Sequence, residues 1–222
     1  GTFSTIATNL TGDYKYRAGV AVGTKVYAIP WDQNDVGVID TVAGTFSTIA
    51  TNLTGDYKYR AGVAVGTKVY AIPEDQNDVG VIDTVAGTFS TIATNLTGEY
   101  KYLAGVAVGT KVYAIPYRQN DVGVIDTVDG TFSTIATSLT GNANYGAGLA
   151  VGTKVYAIPW DQDDVGVIDT VAGTFSTIAT SLTGSNKYSA GVVVGTKVYA
   201  IPLEQNDVGV IFPVCSVGYT VD

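Results

Sequence analysis

The feature that most constrains this chain is a repeat of 43 residues. The stretch from Lys25 to Asp40, KVYAIPWDQNDVGVID, recurs with few changes from Lys68, Lys111, Lys154 and Lys197. Repeated units of this kind cannot bury their apolar faces alone, so neighbouring units share one continuous core. We therefore predict a single domain over residues 1–222, with repeats 1–43, 44–86, 87–129, 130–172 and 173–215 and a tail of 216–222.

Each repeat contains four strand-like segments and no stretch with the length and periodicity of a helix. In the first repeat these segments are 1–8, 18–22, 25–30 and 36–40, which are rich in Val, Ala, Thr and Ile. Gly and Pro bound the segments, as is usual for strands separated by turns. Four-stranded units that repeat every ~40 to 50 residues are typical of a β-propeller. A solenoid is the alternative, but it would be expected to carry polar caps at its ends.

The phase of the repeat predicts how such a ring would close. The chain opens with GTFSTIAT, the last strand of a repeat, and its fifth copy supplies only the first three strands, ending at 207–212. We expect residues 1–8 to pair with 207–212, which completes a five-bladed β-propeller of the all-β class with four antiparallel strands per blade. Closure removes exposed strand edges, so we expect a monomer. The tail from Pro213, which leaves the repeat pattern, is expected to add a strand segment or to seal the closure.

The second and third strands of each repeat read as a hairpin with a defined register. If the turn is centred between Asp32 and Gln33, Lys25 lies opposite Asp40 and Tyr27 lies opposite Val38. Cross-strand pairs of opposite charge stabilise a sheet by about 0.2–1 kcal/mol. The Lys–Asp pair recurs in the next three copies, whereas the last copy places Phe212 opposite Lys197. We interpret these pairs as structural.

The repeated string K-V-Y-A-I-P-x-x-x-N-D-V-G-V-I-D-T resembles kelch-like propeller repeats, in which K-[IV]-Y-x-[IV]-P precedes a polar turn and V-x-V-I-D. The resemblance covers nearly the whole chain, one unit at a time. It implies a propeller fold, and a function among interaction platforms, lectins and occasional enzymes. This chain departs from the kelch pattern because it lacks the Gly-Gly doublet and its unit is short.

The copies differ mainly in two loops, and strand direction places both loops on one side of the ring. Loop residues on a rigid frame commonly form binding sites, and Trp and Tyr are favoured in stacking and at binding hot spots. Drift in loops that tolerate substitution is the alternative explanation. Our candidate ligand-binding residues are Tyr14, Arg17, Trp31, Asp32, Asn34, Glu74, Tyr117, Arg118, Trp160 and Asp161.

The sequence gives little support for metal binding or catalysis. The stretch from Asp32 to Asp40 superficially matches a calcium loop, but Val36 stands where an oxygen ligand belongs and Arg118 replaces the first carboxylate in the third copy. An enzyme is disfavoured because the chain contains no His to serve as a base. We therefore expect no catalytic residue, no bound metal and no cofactor.

The charge of the chain limits its partners. A net charge of −8 argues against nucleic acid or an anionic membrane surface. These observations favour a non-enzymatic binding scaffold that uses the loop face, with a carbohydrate or a protein as ligand. The alternative is a recently amplified or engineered repeat protein without an evolved activity, which the near-identity of the units favours.

Overall fold

The computed structural model describes residues 1–213, which fold into nineteen strands arranged in five antiparallel sheets. Blade 1 contains β1 (Tyr16–Val22), β2 (Lys25–Pro30), β3 (Val36–Asp40) and β4 (Thr45–Ile49). Blade 2 contains β5 (Tyr59–Val65), β6 (Lys68–Pro73), β7 (Val79–Asp83) and β8 (Thr88–Ile92). Blade 3 contains β9 (Tyr102–Val108), β10 (Lys111–Pro116), β11 (Val122–Asp126) and β12 (Thr131–Ile135). Blade 4 contains β13 (Tyr145–Val151), β14 (Lys154–Pro159), β15 (Val165–Asp169) and β16 (Thr174–Ile178), and blade 5 contains β17 (Tyr188–Val194), β18 (Lys197–Pro202) and β19 (Gly209–Ile211).

This architecture confirms the predicted all-β, five-bladed propeller fold. Strand order within each sheet follows the chain, and neighbouring blades contact one another chiefly through their first strands. These first strands are therefore the innermost ones. The described residues contain no helix, and so none that could cross a membrane.

The hairpin register follows the prediction. Lys25 pairs with Asp40 and Tyr27 pairs with Val38, and the same register recurs in blades 2 to 4. Asp40 also caps the turn that follows it, because its Oδ1 accepts hydrogen bonds from the backbone N–H groups of Val42 and Ala43 at 3.0 and 2.8 Å. The repeated aspartate therefore fixes the turn that leads into the fourth strand. In blade 5 the Lys197 ammonium lies 4.9 Å from the centre of the Phe212 ring instead.

The hydrophobic core lies between blades as well as within them. Ile72 of blade 2 is fully buried at the junction with blade 3, where it faces Gly105. A Cβ atom at position 105 would lie 2.7 Å from Ile72 Cδ1, which is far inside van der Waals contact. A glycine is therefore required there so that the innermost strand can approach the preceding blade.

A buried lysine joins each of blades 2, 3 and 5 to the blade before it, and Asn144 takes its place in blade 4. The backbone N–H of Lys58 donates to the Trp31 carbonyl at 3.0 Å, and its Nζ donates to the Asp32 carbonyl at 3.1 Å. Burial lowers the pKa of Lys58, while the nearby Asp32 charge acts in the opposite direction. The carbonyl acceptors offset the cost of burying an ammonium group.

The structure differs from the prediction at the closure. Residues 1–8 form no strand, the described sheet of blade 5 has three strands, and Phe3 is 93% exposed. In the other blades a short capped turn joins the third strand directly to the fourth. In blade 5 Phe212 and Pro213 replace the capping aspartate and the threonine after it, and Pro213 has no N–H to donate. The tail that was expected to seal the closure lies, from residue 214, outside the described residues.

Candidate binding face

The two variable loops of each repeat lie side by side at one end of the blades. In blade 1 the Trp31 N–H donates to the Lys15 carbonyl at 3.1 Å, and the Asp32 N–H donates to the Tyr14 carbonyl at 3.2 Å. Equivalent bonds recur in the other blades, so the loops face the same end of the molecule. We call this surface the aromatic face and define it by Tyr14, Arg17, Trp31, Tyr57, Arg60, Glu74, Tyr100, Tyr117, Arg118 and Trp160.

The tyrosines of the first loop have an unusual backbone conformation. Tyr14, Tyr57 and Tyr100 have φ angles of 45°, 50° and 52°. Left-handed backbone is uncommon for residues other than glycine and costs about 1–3 kcal/mol. For Tyr57 and Tyr100 an aspartate of the preceding blade holds this conformation, as Asp32 Oδ1 accepts the Tyr57 N–H at 3.0 Å and Asp75 Oδ1 accepts the Tyr100 N–H at 2.7 Å. Ala143 and Asn186 have the same conformation in blades 4 and 5, so it is a property of the repeated loop.

A β-bulge sets the positions of Arg17 and Arg60. The pairing of β1 with β2 shifts between Tyr16 and Ala18, which leaves Arg17 without a partner in the ladder. Arg60 occupies the same bulge in blade 2. Bulges often redirect a side chain near a binding site. The later copies carry Leu103, Gly146 and Ser189 at this position.

A chain of rings crosses the first three blades. The Trp31 ring lies edge-on to Tyr14 at a centroid distance of 5.5 Å and 4.9 Å from the ring of Tyr57. The Tyr57 ring lies 6.2 Å from that of Tyr100. Two guanidinium groups pack on these rings, Arg17 at 4.9 Å from Trp31 and Arg118 at 4.5 Å from Tyr100. Aromatic pairs and cation–π contacts of this geometry each stabilise by about 0.5–1.5 kcal/mol.

Glu74 is the buried acid of this face. Its carboxylate accepts a hydrogen bond from Trp31 Nε1 at 2.8 Å and one from Arg60 at 3.4 Å. Burial raises the pKa of Glu74, while Arg60 and the Trp31 hydrogen bond act in the opposite direction. Burial likewise lowers the pKa of Arg60, against the opposing effect of Glu74. Glu74 therefore fixes the positions of a tryptophan from one blade and an arginine from the next.

A second group of side chains continues the face across blades 3 to 5. The ring of Tyr117 lies edge-on to that of Trp160 at 6.0 Å. Trp160 Nε1 donates to Asn186 Oδ1 at 2.7 Å, and Asn186 Nδ2 donates to Glu204 at 2.9 Å. A Cβ atom at position 146 would lie 2.6 Å from Trp160 Cε3. Glycine at position 146 therefore leaves room for the Trp160 ring of the same blade.

Three of the predicted residues lie outside this set of contacts. Asp161, like Asp32, accepts a backbone N–H of the next blade, here that of Asn186 at 2.8 Å, and so has a structural role. Asn34 contributes its carbonyl oxygen to a hydrogen bond from Thr51 Oγ1 at 2.5 Å. The sequence analysis identifies Tyr14 and Arg17 as candidates but not Tyr57, Arg60 or Tyr100. The repeat could have identified Tyr57 and Arg60, because they are unchanged copies of Tyr14 and Arg17.

The carboxylates of the calcium-like stretch have other partners. Asp35 Oδ1 accepts the Thr51 N–H at 3.1 Å, and Asp40 caps the following turn. Within residues 1–213 no group of three or more His, Cys, Asp or Glu side chains is placed to hold a metal ion.

Comparison with known proteins gives the fold and no family. No protein-family model matches the chain, and no curated protein sequence does. The structure of Kuenenia stuttgartiensis hydrazine synthase is similar to this one. The match covers 90% of this chain and 58% of the hydrazine synthase chain, with a TM-score of 0.65 and 17% sequence identity. The structure of virginiamycin B lyase from Staphylococcus aureus matches over 80% of this chain and 59% of the lyase chain, with a TM-score of 0.65 and 15% sequence identity.

A streptogramin B lyase structure matches over 90% of this chain and 69% of the lyase chain, with a TM-score of 0.68 and 14% sequence identity. At these identities the similarity shows a β-propeller fold alone. The chain spans less than two thirds of the length of the first two structures.

Proposed function

We propose that the protein is a non-enzymatic binding scaffold whose aromatic face takes a ligand. The main support for this proposal is that all the arginines of the sequence lie on this face, namely Arg17, Arg60 and Arg118. Arg, Trp and Tyr are the residues enriched at the energetic centres of protein interfaces. The resemblance to kelch-like repeats supports the same proposal, since such propellers often serve as interaction platforms.

The contacts of Trp31 favour a protein segment over a sugar as the ligand. Its Nε1 is bonded to Glu74, and its ring is in contact with Tyr57 and the Arg17 guanidinium. A stacked sugar would need an open ring face. Exposed groups on the face are the Tyr14 ring, which is 67% exposed, and the Arg17 and Arg118 side chains. These groups suit a peptide that carries carboxylates and apolar side chains.

Selection from a displayed peptide library tests this proposal. Peptides selected on the full chain should lose about tenfold or more in affinity for the variant Tyr14→Ala/Arg17→Ala, because those residues would be among the hot spots. The matched control is Val42→Ala/Val85→Ala, which alters exposed turn tips at the opposite end of the blades. Equal affinity for all three proteins, or an equal loss for the control, would contradict the proposal. A glycan array is run in parallel. Sugar binding that is present in the full chain and lost in Trp31→Ala would identify a carbohydrate, and not a peptide, as the ligand.

The second candidate is an amplified or engineered repeat protein with no evolved activity. It is favoured by the β2-type strand, whose sequence KVYAIP is identical in all five copies. The ring chain also does not extend into blade 5, where Ser189 and Leu203 replace the arginine and the tryptophan of blade 1. A library that yields no peptide above background, together with a silent glycan array, supports this candidate and contradicts the first.

A further inference from the structure

Within residues 1–213 the five blades form an open arc with two uncovered end faces. On blade 5 the side chains of Ile201, Val208 and Val210 are 41%, 54% and 41% exposed. Their equivalents in blade 2, Ile72, Val79 and Val81, are 0%, 0% and 7% exposed, because blade 3 covers them. On blade 1 Tyr16, Val26 and Ile39 are half-buried, whereas Tyr59, Val69 and Ile82 of blade 2 are fully buried against blade 1.

These two faces are the halves of one interface. The same residues meet at each of the four internal junctions, where the third-strand and second-strand side chains of one blade pack on the next. The blade 5 face therefore matches the blade 1 face in shape and chemistry. Exposed apolar faces of this kind are unusual on a soluble monomer.

The polar groups at the two ends are complementary in the same way. At three of the four internal junctions a lysine of the following blade donates to the preceding loop, as Lys58 Nζ donates to the carbonyls of Trp31 and Asp32. Asn144 takes the place of the lysine at the remaining junction. In blade 1 the Nζ of the corresponding Lys15 donates to the Gly12 carbonyl of its own loop, and among the described residues no preceding loop lies next to it. The carbonyls at the equivalent positions of blade 5 belong to Leu203 and Glu204, which receive no such lysine from the described residues.

The N-terminal segment is already placed for the missing strand. Gln33 Nε2 donates to the Thr11 carbonyl at 2.7 Å, as Gln76 Nε2 donates to the Thr54 carbonyl at 2.9 Å in blade 2. Residues before Thr54 form the fourth strand of the preceding blade. Residues 1–8 have the same sequence as 44–51, and they precede blade 1 where blade 1 has no neighbour.

We infer that copies of this chain associate end to end. Blade 5 of one copy packs against blade 1 of a second copy, and residues 1–8 of the second copy pair with β19 of the first as its fourth strand. The new junction repeats the four internal ones. Such a head-to-tail interface gives larger rings or open filaments rather than a symmetric dimer.

A disulfide cross-link tests which chain supplies the strand. Val38 pairs with Ser47 across β3 and β4, so Val210 of one copy should pair with Ser4 of another. In a Cys215→Ser background, a mixture of the Val210→Cys protein and a mass-tagged Ser4→Cys protein should give a mixed cross-linked dimer on oxidation. The variant Val81→Cys/Ser90→Cys is the positive control, because this pair lies within blade 2.

Two outcomes of the cross-linking would overturn the inference. One is a monomeric, internally cross-linked product from the double variant Ser4→Cys/Val210→Cys, which would show that the ring closes within one chain. The other is no cross-link at positions 4 and 210 while the positive control forms, which would show that another segment occupies the edge of β19.

Sedimentation velocity provides the second test. The full chain should show species heavier than its 23.0 kDa monomer, with a population that grows with concentration. Ile201→Lys, at an exposed position of the blade 5 face, should weaken association at least tenfold. Val85→Lys, at an equally apolar turn tip that is 79% exposed, should leave it unchanged. A monomer at every concentration, or an equal effect of both lysines, would overturn the inference.

Discussion

The junction between blades 2 and 3 and the free face of blade 5 contain the same residues in the same strands. Ile72 is fully buried at the junction, whereas Ile201, its counterpart in blade 5, is 41% exposed. The difference arises from the neighbouring blade and not from the sequence of the strand. In such an array stability is approximately a sum of intrinsic blade terms and nearest-neighbour terms. The comparison therefore separates what a blade contributes alone from what a junction contributes.

The largest expected effect is the loss of a buried isoleucine at a junction. Ile72→Ala should reduce the free energy of unfolding by about 2–5 kcal/mol, because it leaves a cavity against Gly105. Ile201→Ala should cost less than about 1 kcal/mol in the dilute chain, since Ile201 is already 41% exposed. Denaturant titration of both variants measures the difference. Equal losses would contradict the comparison between junction and end face.

A smaller effect is expected when a methyl group is added at the same place. Gly105→Ala should destabilise by about 1–3 kcal/mol through overpacking against Ile72 and Val63. Its counterpart Gly19 has no blade in front of it, and a Cβ there would meet only Val26 of its own blade at 3.3 Å. Gly19→Ala should therefore change stability by less than about 0.5 kcal/mol in the dilute chain. If Ile72→Ala fails to relieve Gly105→Ala, overpacking is not the cause.

The smallest effect concerns the capped turns, which blades 1 to 4 have and blade 5 lacks. Backbone N–H donors, that of Ala172 first, and the Lys154 ammonium lower the pKa of Asp169 to about 2. An unfolded aspartate has a pKa of about 3.9. The stabilising contribution is therefore present above pH ~4 and is lost as the pH falls from ~4 towards ~2.

Unfolding measured between pH 5 and pH 2 tests this point. Asp169→Asn should flatten part of the decline in stability of the full chain over that range, and Asp83→Asn should act in the same direction because the pKa of Asp83 is also lowered by its turn. Phe212→Asn adds no titrating group and serves as the control. Parallel curves for Asp169→Asn and the unchanged chain would contradict the role assigned to the turn.

Much of the fold could be predicted from the sequence because each repeat contains the strand and turn pattern of one blade. Period, strand number and the Lys25–Asp40 register follow from the spacing of apolar residues and turns, all of which are local. The closure could not be predicted in the same way. It depends on how neighbouring blades pack, through contacts such as that of Ile72 with Gly105, which join residues of different repeats.

The candidate site was predictable in place but not in form. Differences among the copies located both variable loops. They did not show that Tyr14 is in a left-handed conformation or that Arg17 lies on a bulge, since both properties depend on hydrogen bonds between neighbouring segments. Burial of Glu74 beneath Trp31 and Arg60 joins two blades, and no single repeat contains the whole contact.

The most direct test compares thiol labelling at two copies of one residue. In a Cys215→Ser background, Phe3→Cys and Phe89→Cys place a thiol in the same sequence, TFSTI, which is free at the N-terminus and a strand in blade 2. In dilute solution Phe3→Cys should react near the rate of an unfolded peptide, and Phe89→Cys should react far more slowly. Raising the protein concentration should protect position 3 as copies associate. Protection of position 3 that is independent of concentration would contradict the open arc.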